Sequence, residues 1–347
     1  MGTVSFFFFL NMLKFVSIPF LQGNFSYFCT FKNENVIMGT PTLVFKPITW
    51  DDRQLLTERL RHNSTGLLNY SFVVAYLYRH TVGFQMAFDA DFLWIKEYEH
   101  GEWQYLFPVG CALYDKALDK WRDSVLAEGD SANMLFDEGH VADMQSWAAQ
   151  QVASGCYACE VHEMRDDFEY VYESEALASL AGHALKAKRN FVHAFTRNYD
   201  WSTEYITSDN LSEVLEFDSQ WNTDIQIGEN SPLKLENEAL QEAFAHYADL
   251  PLRGLLLRAD DKVVAFAIGC PLTDTMYAVL FEKADRRYKG AYAMINCEFA
   301  GRIAFHYPYI NRAEDGGNEG LRQAKLSYMP ARMLKVYQLR IQRLPKV

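Results

Sequence analysis

Basic residues are the scarce charge in this 347-residue chain: 33 Lys and Arg stand against 45 Asp and Glu, a formal net charge of −12. A surface with that balance does not wrap nucleic acid non-specifically, because bulk phosphate binding needs a net basic face. A local basic patch stays open. Cysteine is scarce too, and Cys29, Cys111, Cys156, Cys159, Cys270 and Cys297 form no regular framework. That excludes a disulfide scaffold and suits reduced thiols in a cytoplasm. Cys156 and Cys159, with His162 nearby, have the spacing of half a zinc or redox site. No second ligand pair follows at a suitable distance, so no metal is expected. Long apolar runs are also missing. The four phenylalanines Phe6–Phe9 lie in a stretch interrupted by Asn11, Lys14 and Pro19, short of the roughly 20 apolar residues of a membrane span. The same stretch lacks the basic start and small-residue cleavage site of a signal peptide. Residues 1–37 are therefore expected to be an extension outside the fold, with Met38 a natural alternative start. No permanent membrane insertion is expected, and the location is read as cytoplasmic.

What is present describes a globular protein. An apolar share of 49% with 22% charged residues can bury a substantial core, and the length suits two domains or one large one. Leu43-Val44-Phe45 reads as a strand and Ser71–Arg79 as a helix. Phe92–Ile95 and Trp103–Phe107 flank the turn signal Glu99-His100-Gly101 and read as a hairpin. Leu113–Leu126 has helical spacing, Met134–Phe136 is a strand candidate, His140–Val152 a helix and Tyr170–Tyr172 a strand. The second half repeats the order: helix Glu236–Tyr247, a hairpin around Asp260-Asp261, strand Met276–Phe281, helix Tyr288–Phe305, strand Tyr307–Asn311, helix Leu321–Leu326 and strand Leu334–Leu339. Helix, hairpin, strand, helix, strand, helix, strand is the element order of a GNAT-like acyltransferase domain. The expected fold is α+β, two GNAT-like domains in tandem, each a mixed twisted sheet flanked by helices. The expected bounds are 38–172 and 222–347, with 173–221 between them and the site in the second domain.

Several polar clusters carry candidate chemistry. Lys188-Arg189-Asn190 is a basic cluster ahead of an aromatic-rich helical stretch; it is either a phosphate or carboxylate contact or a solvated helix face. Glu282, Lys283 and Asp285 close a strand expected to be buried, where charges are costly unless paired or aimed into a cleft. An internal ion pair of Lys283 with Glu282 or Asp285 is the alternative. Arg287 and Gly290 match the pyrophosphate loop of a GNAT domain, and Tyr292 breaks it. Asn311, Arg312, Glu314, Asp315 and Asn318 form a dense polar run with Gly316 and Gly317. The stretch from Gly320 to Val347 then holds seven basic residues, Arg322 and Lys325 among them, and no acid. It fits an anionic partner such as an RNA terminus or a lipid headgroup, or it pairs with the acidic first half.

The stretches Tyr170–Tyr172, Leu180–His183, Lys188–Asn190, Glu282–Asp285, Gly290–Tyr292, Ile295-Asn296, Glu298–Ala300, Tyr309–Arg312 and Glu319–Tyr328 resemble a bacterial family whose domain is named after the C-terminal catalytic part of phosphatidylglycerol lysyltransferases. The resemblance covers Met38 to about Tyr337. The sequence departs from it at Ala313 and Gly316, where an acidic and a larger apolar residue are expected. It implies an aminoacyl- or acyltransferase that passes its group, from aminoacyl-tRNA, to an amine or hydroxyl. An acyl-CoA-dependent N-acetyltransferase or a non-catalytic binding module is the alternative. The co-substrate is aminoacyl-tRNA or acyl-CoA with no permanently bound cofactor. The expected partners are a tRNA acceptor end and a small-molecule or lipid-headgroup acceptor. Glu282 or Asp315 is assigned to proton handling and Lys283 or Arg312 to the developing anion. Lys188, Arg189, Arg322 and Lys325 are assigned to donor phosphates, and Asn190, Asp285, Asn296, Asn311, Glu314 and Asn318 to substrate binding. These segments are expected to converge on one cleft.

Overall fold

The computed structural model describes residues 42–60, 65–89, 91–99, 101–110, 114–225 and 232–345. The segment 1–37, Cys29, Cys111 and Lys346 lie outside the described residues. Within them the chain forms two mixed sheets flanked by helices. The first runs, neighbour by neighbour, through Lys46–Pro47, Gln85–Phe88, Phe92–Glu99, Glu102–Leu106, Ser131–Asp137, Val336–Arg343 and Tyr157–Glu163, with Val109–Gly110 paired beside Phe92–Glu99. The second runs through Arg332–Leu334, Glu169–Glu173, Tyr309–Asn311, Met276–Ala284, Lys262–Pro271, Arg253–Ala259 and Trp201–Tyr205.

Each sheet has one described parallel pair. In the first it is Glu102–Leu106 beside Ser131–Asp137, in register Gln104 to Asn133. In the second it is Met276–Ala284 beside Tyr309–Asn311, in register Met276 to Tyr309. Parallel neighbours need a crossover. The helices Tyr114–Val125 and Ala291–Ile303 supply it, and they stand at matching places in the two halves. The repeated element order read from the sequence is this repeated crossover.

Sheet membership does not follow chain order at the ends. The boundary expected at 172/173 falls inside the strand Glu169–Glu173, which bonds to Tyr309–Asn311 and Arg332–Leu334 in the second sheet. The segment 173–221, expected between domains, contributes the edge strand Trp201–Tyr205 of that sheet. The single strand expected at Leu334–Leu339 is two. Arg332–Leu334 stays in the second sheet, while Val336–Arg343 crosses to the first and fills the gap between Ser131–Asp137 and Tyr157–Glu163. A strand without partners on both sides leaves unpaired backbone groups, and this exchange closes both vacancies. The first strand also differs: pairing starts at Lys46, opposite Met86, and Val44 is 80% exposed.

Apolar residues bury three layers. One lies between the sheets, joining Met86, Leu93 and Ile95 of the first to Leu256, Phe266 and Ile268 of the second. A second packs Leu255, Leu257, Ala265 and Ala267 against the helices Lys186–Asn198 and Ala291–Ile303, and a third covers the outer face of the first sheet with Trp121 and Trp147. Glycine permits close approach at one place that matters below. Gly290, at φ +97, starts the helix Ala291–Ile303, and a Cβ there would stand 2.4 Å from the Phe191 carbonyl oxygen.

Candidate active site

The strands Met276–Ala284 and Tyr309–Asn311 share a register only from Met276 to Ala278. Past that point they part, and the longer strand continues to Ala284 without this neighbour. Its pairing with Lys262–Pro271 shifts between Ile268 and Gly269, so Leu280 is an extra residue. The bulge advances the alternation of faces by one. Phe281 enters the layer between the sheets, Glu282 turns to the face covered by the helix Ala291–Ile303, and Lys283 turns back between the sheets.

Glu282 and Arg312 therefore meet. Glu282 Oε1 accepts from Arg312 Nη2 at 2.8 Å, Oε2 accepts from Asn296 Nδ2 at 3.2 Å, and both charged side chains are 12% exposed. The Tyr172 and Tyr328 rings frame the guanidinium, with its carbon 5.8 and 5.1 Å from their centroids. Lys188 reaches the same Tyr328 ring from the helix Lys186–Asn198, its Nζ 4.1 Å from the centroid. Burial opposes the charge of Arg312, yet Glu282 and the two tyrosines outweigh it and raise its pKa. Burial also pushes the Tyr328 hydroxyl up to about 12. Two buried polar atoms in this group have no protein partner: Arg312 Nη1 and Asn296 Oδ1. Buried polar atoms are paired in most folds, and both of these belong to side chains bonded to Glu282, which makes the group a candidate site.

Other residues read from the sequence are committed elsewhere. Lys283, buried on the opposite face, donates to Asp218 Oδ1 at 2.6 Å and to Asn222 Oδ1 at 3.2 Å. Its partner is on the helix Leu211–Ile225, neither Glu282 nor Asp285, because the strand alternation separates it from Glu282. Asp285 pairs with Arg287. Asp315 has a fully covered side chain, and accepts from Arg165 Nη1 at 3.2 Å, the Tyr170 hydroxyl at 2.5 Å, and Arg322 at 2.7 and 3.0 Å. Burial alone would raise its pKa; the bonds from Arg322, Tyr170 and the Gly317 N–H hold it well below the usual carboxylate range. Arg322 also binds Asp166 at 2.6 Å. Lys325 donates to the backbone carbonyls of Arg312, at 2.6 Å, and of Glu314. Burial pushes its pKa down to about 8.

Asn311 is buried between the Glu169 carboxylate and the Gly66 carbonyl, and its Oδ1 accepts from the Ala313 N–H at 2.9 Å. Ala313 itself is left-handed, at φ +58. Asn318 caps the helix Glu319–Leu326. Arg189 donates to the Leu180 and Gly182 carbonyls, whereas Asn190 and the Glu314 side chain are exposed. The expected convergence thus divides in two. Glu282, Asn296, Arg312 and Lys188 meet around Tyr172 and Tyr328; Asp315, Arg322 and Lys325 build the loop that carries Arg312. The rings, Asp218 and the pair Arg165 and Asp166 were not singled out from the sequence. The quoted motifs contained Tyr172 and Tyr328, and the family motif was their only signal.

Three of the seven basic residues of the C-terminal stretch pair with acids of the first half, Arg322 with Asp166 as above and two more. Lys335 pairs with Glu138 at 2.9 Å, Arg340 with Glu102 at 3.2 Å, and Arg343 donates to the Leu126 carbonyl. Among the described residues no group of three or more His, Cys, Asp or Glu could hold a metal ion, and no helix is long and apolar enough to cross a membrane.

The profile of the family described as "Phosphatidylglycerol lysyltransferase, C-terminal" matches residues 65–340. The chain belongs to this family. A crystal structure of a conserved protein of unknown function from Bacteroides thetaiotaomicron is 32% identical, with a TM-score of 0.79 over 87% of this chain and all of that one. The L-PGS of Bacillus licheniformis is 12% identical, with a TM-score of 0.54 over 86% of this chain and 93% of that one. FemX is 8% identical, with a TM-score of 0.55 over 85% and 97%. At those identities the last two show the fold, and the fold is GNAT-like, as the element order had it. An uncharacterised protein of Mycoplasmoides gallisepticum is 23% identical over 186 residues, 52% of this chain and 58% of that protein. The chain thus spans little more than half the length of that curated relative. The matched region takes in the whole second sheet, the first sheet apart from Lys46–Pro47 and the last residues of Val336–Arg343, and every residue of the Glu282 group.

Proposed function

We propose that this family member transfers an aminoacyl group, carried as an ester on tRNA, to an amine or hydroxyl. The observation that carries the reading is the Glu282–Arg312 pair beside Asn296, at the parting of two strands, with one donor and one acceptor left open. Acyl transfer needs a base for the nucleophile and a donor for the oxyanion. Glu282 takes the proton of the attacking nitrogen or oxygen as its bond to the carbonyl carbon forms. The carbonyl electron pair moves onto oxygen, where the open Arg312 N–H meets it. Collapse breaks the carbon–oxygen bond of the donor, and Glu282 returns the proton to the departing hydroxyl.

The family's name and the fold shared with L-PGS and FemX support an aminoacyl donor. So does the start of the helix Ala291–Ile303. There Gly290 is packed on the Phe191 carbonyl, and the Tyr292 hydroxyl is hydrogen-bonded near Ala284 and Trp221, which crowds the place a coenzyme A pyrophosphate would take. No resident cofactor enters these steps. The test is a panel of labelled aminoacyl-tRNAs and acyl-CoAs offered with amine and hydroxyl acceptors, phosphatidylglycerol included. Enzyme-dependent transfer from an aminoacyl-tRNA is expected. Transfer from acyl-CoA alone would replace the proposed donor, and transfer from neither would end the transferase reading.

A further inference from the structure

The first sheet has a parting of its own. Its parallel pair, Glu102–Leu106 beside Ser131–Asp137, holds as far as the Phe107 N–H, which bonds the Leu135 carbonyl at 2.8 Å. Beyond it the chain turns off into Val109–Gly110, paired beside Phe92 and Leu93, while the other strand runs on to Asp137. Crevices outside the carboxyl ends of parting parallel strands are common ligand sites. This one is a cavity of about 590 Å³, lined also by Arg332–Lys335, the segment that crosses from one sheet to the other. Its charges pair with one exception. Lys335 bonds Glu138 at 2.9 Å, and His140, its ring centroid 3.9 Å from that of Phe107, sets Nδ1 3.0 Å from Asp137 Oδ1. Burial opposes the charge of Asp137, yet bonds from the His140 ring and from the Gly139 and His140 N–H groups hold its pKa below the ordinary value. Tyr70 and Tyr114, the remaining titratable groups of the lining, donate to the carbonyls of Phe107 and Gly110 at 3.0 and 3.3 Å. Two groups stay open among the described residues. His140 Nε2 has no partner, and Arg332, an exposed guanidinium 4.8 Å from the Tyr309 centroid, has neither a carboxylate nor a carbonyl.

We propose that this crevice binds a monocarboxylate with an apolar body, the carboxylate held by Arg332 and His140. The planar guanidinium fork matches the edge of a carboxylate. A carboxylate only accepts, so with Asp137 at Nδ1 and the ligand at Nε2 the ring carries a proton on each nitrogen. His140 therefore takes up a proton as the ligand docks. The charges then close as three pairs: Asp137 with His140, Glu138 with Lys335, and the ligand with Arg332. A phosphate dianion would bring one negative charge more than the crevice balances, beside two carboxylates already there. Phe107, Tyr114 and Met333 in the lining suit a ring or a short chain. The crevice is separate from the Glu282 group, and the inference does not rest on the transferase reading.

The test is calorimetric titration of the full chain with phenylacetate, hexanoate, 2-phenylacetamide and phenyl phosphate. The two carboxylates are expected to bind, and the neutral amide and the phosphate to bind about tenfold more weakly or not at all. Phenylacetate should bind more tightly at pH 6 than at pH 8. At pH 8 its heat should differ between buffers of different ionisation enthalpy, as proton uptake requires. Arg332→Met, which removes a side chain bonded to nothing but the Tyr309 ring, should weaken phenylacetate about tenfold or more. His140→Gln should weaken it too and abolish the buffer dependence. Arg340→Met, on the same C-terminal stretch but outside the crevice, should leave binding unchanged. The proposal is overturned if neither carboxylate binds, if the amide or the phosphate binds as tightly, if Arg332→Met binds like the parent, or if no proton is taken up. Failure of transfer in the donor panel would leave these titrations intact, and successful transfer without carboxylate binding would remove only this crevice.

Discussion

Replacing Lys283 by Met tests whether this lysine serves the site or the fold. Its ammonium lies 2.6 Å from Asp218 Oδ1, and the two side chains are 2% and 1% exposed. At an effective dielectric near 20, unit charges at that distance attract by about 6 kcal/mol, most of which offsets the cost of taking both from water. The pair is thus worth little net. Breaking it is another matter, since Asp218 would keep only the Asn222 and Gln241 amides, at 3.1 and 3.3 Å. Leaving one charge of a buried pair typically costs about 3–5 kcal/mol. Lys283→Met should lose that much, and Lys283→Met with Asp218→Leu should regain most of it. Urea denaturation followed by tryptophan fluorescence suits the measurement, since Trp221 stacks 4.5 Å from the ammonium. A loss below about 1 kcal/mol in the single variant, or a double variant as unstable as the single one, would refute the argument. Loss of transfer at unchanged stability would put Lys283 back in the site.

Glu282→Gln should lower transfer by about a hundredfold or more, measured on whichever aminoacyl-tRNA proves active, and should also lower the melting temperature, because Arg312 loses its carboxylate while mostly buried. Gly290→Ala should cost about 1–3 kcal/mol, because it combines positive φ with a Cβ 2.4 Å from a backbone oxygen; an unchanged denaturation midpoint would show that the helix Lys186–Asn198 can move away. Burial raises the pKa of Glu169 to about 8, from 4.5. The folded state therefore holds a proton that the unfolded chain has released, and stability should fall as pH rises from about 4.5 to 8. Glu169→Gln should flatten that slope and be the more stable protein at pH 8. A slope equal to the parent's in urea melts across that window would contradict it.

The sequence carried much of the second sheet because its signals are local. Asp260 and Asp261, both at positive φ, turn one hairpin, and long apolar strands flank it. The strand exchange was not legible in this way. Leu334–Leu339 is one apolar-alternating run by composition, and the break at Lys335 that sends its two ends to different sheets depends on partners more than 150 residues away. The site divides on the same principle. Glu282 and Lys283 are neighbours in sequence and look alike as charges at a strand end. A single bulged residue, Leu280, decides where each one points, and no residue type announces a bulge there. Asp315 and Arg322 looked like a proton handler and a phosphate ligand because their chemistry suits both. Tertiary contacts instead bind them to each other and to Arg165, Tyr170 and Asp166.

That division explains why so many charges surround so small a group. Arg312 follows a strand that ends at Asn311, and two further backbone bonds tie the chain to the neighbouring strand, from the Arg312 N–H to the Tyr170 carbonyl and from the Tyr170 N–H to the Ala313 carbonyl. Lys325 fixes the carbonyls of Arg312 and Glu314, Asn311 holds the N–H of Ala313 in its left-handed turn, and the Asp315 cluster anchors the far end. Each of these contacts constrains backbone, so the Arg312 side chain arrives at Glu282 with little freedom left to lose. Preorganised charge is what a transition state rewards, because no reorganisation is needed as the oxyanion forms. On this view the loop's aspartate, arginine and lysine contribute to chemistry through position alone. In the proposed transfer, Arg312 and Asn296, whose buried Nη1 and Oδ1 have no protein partner, are the side chains left to meet a substrate.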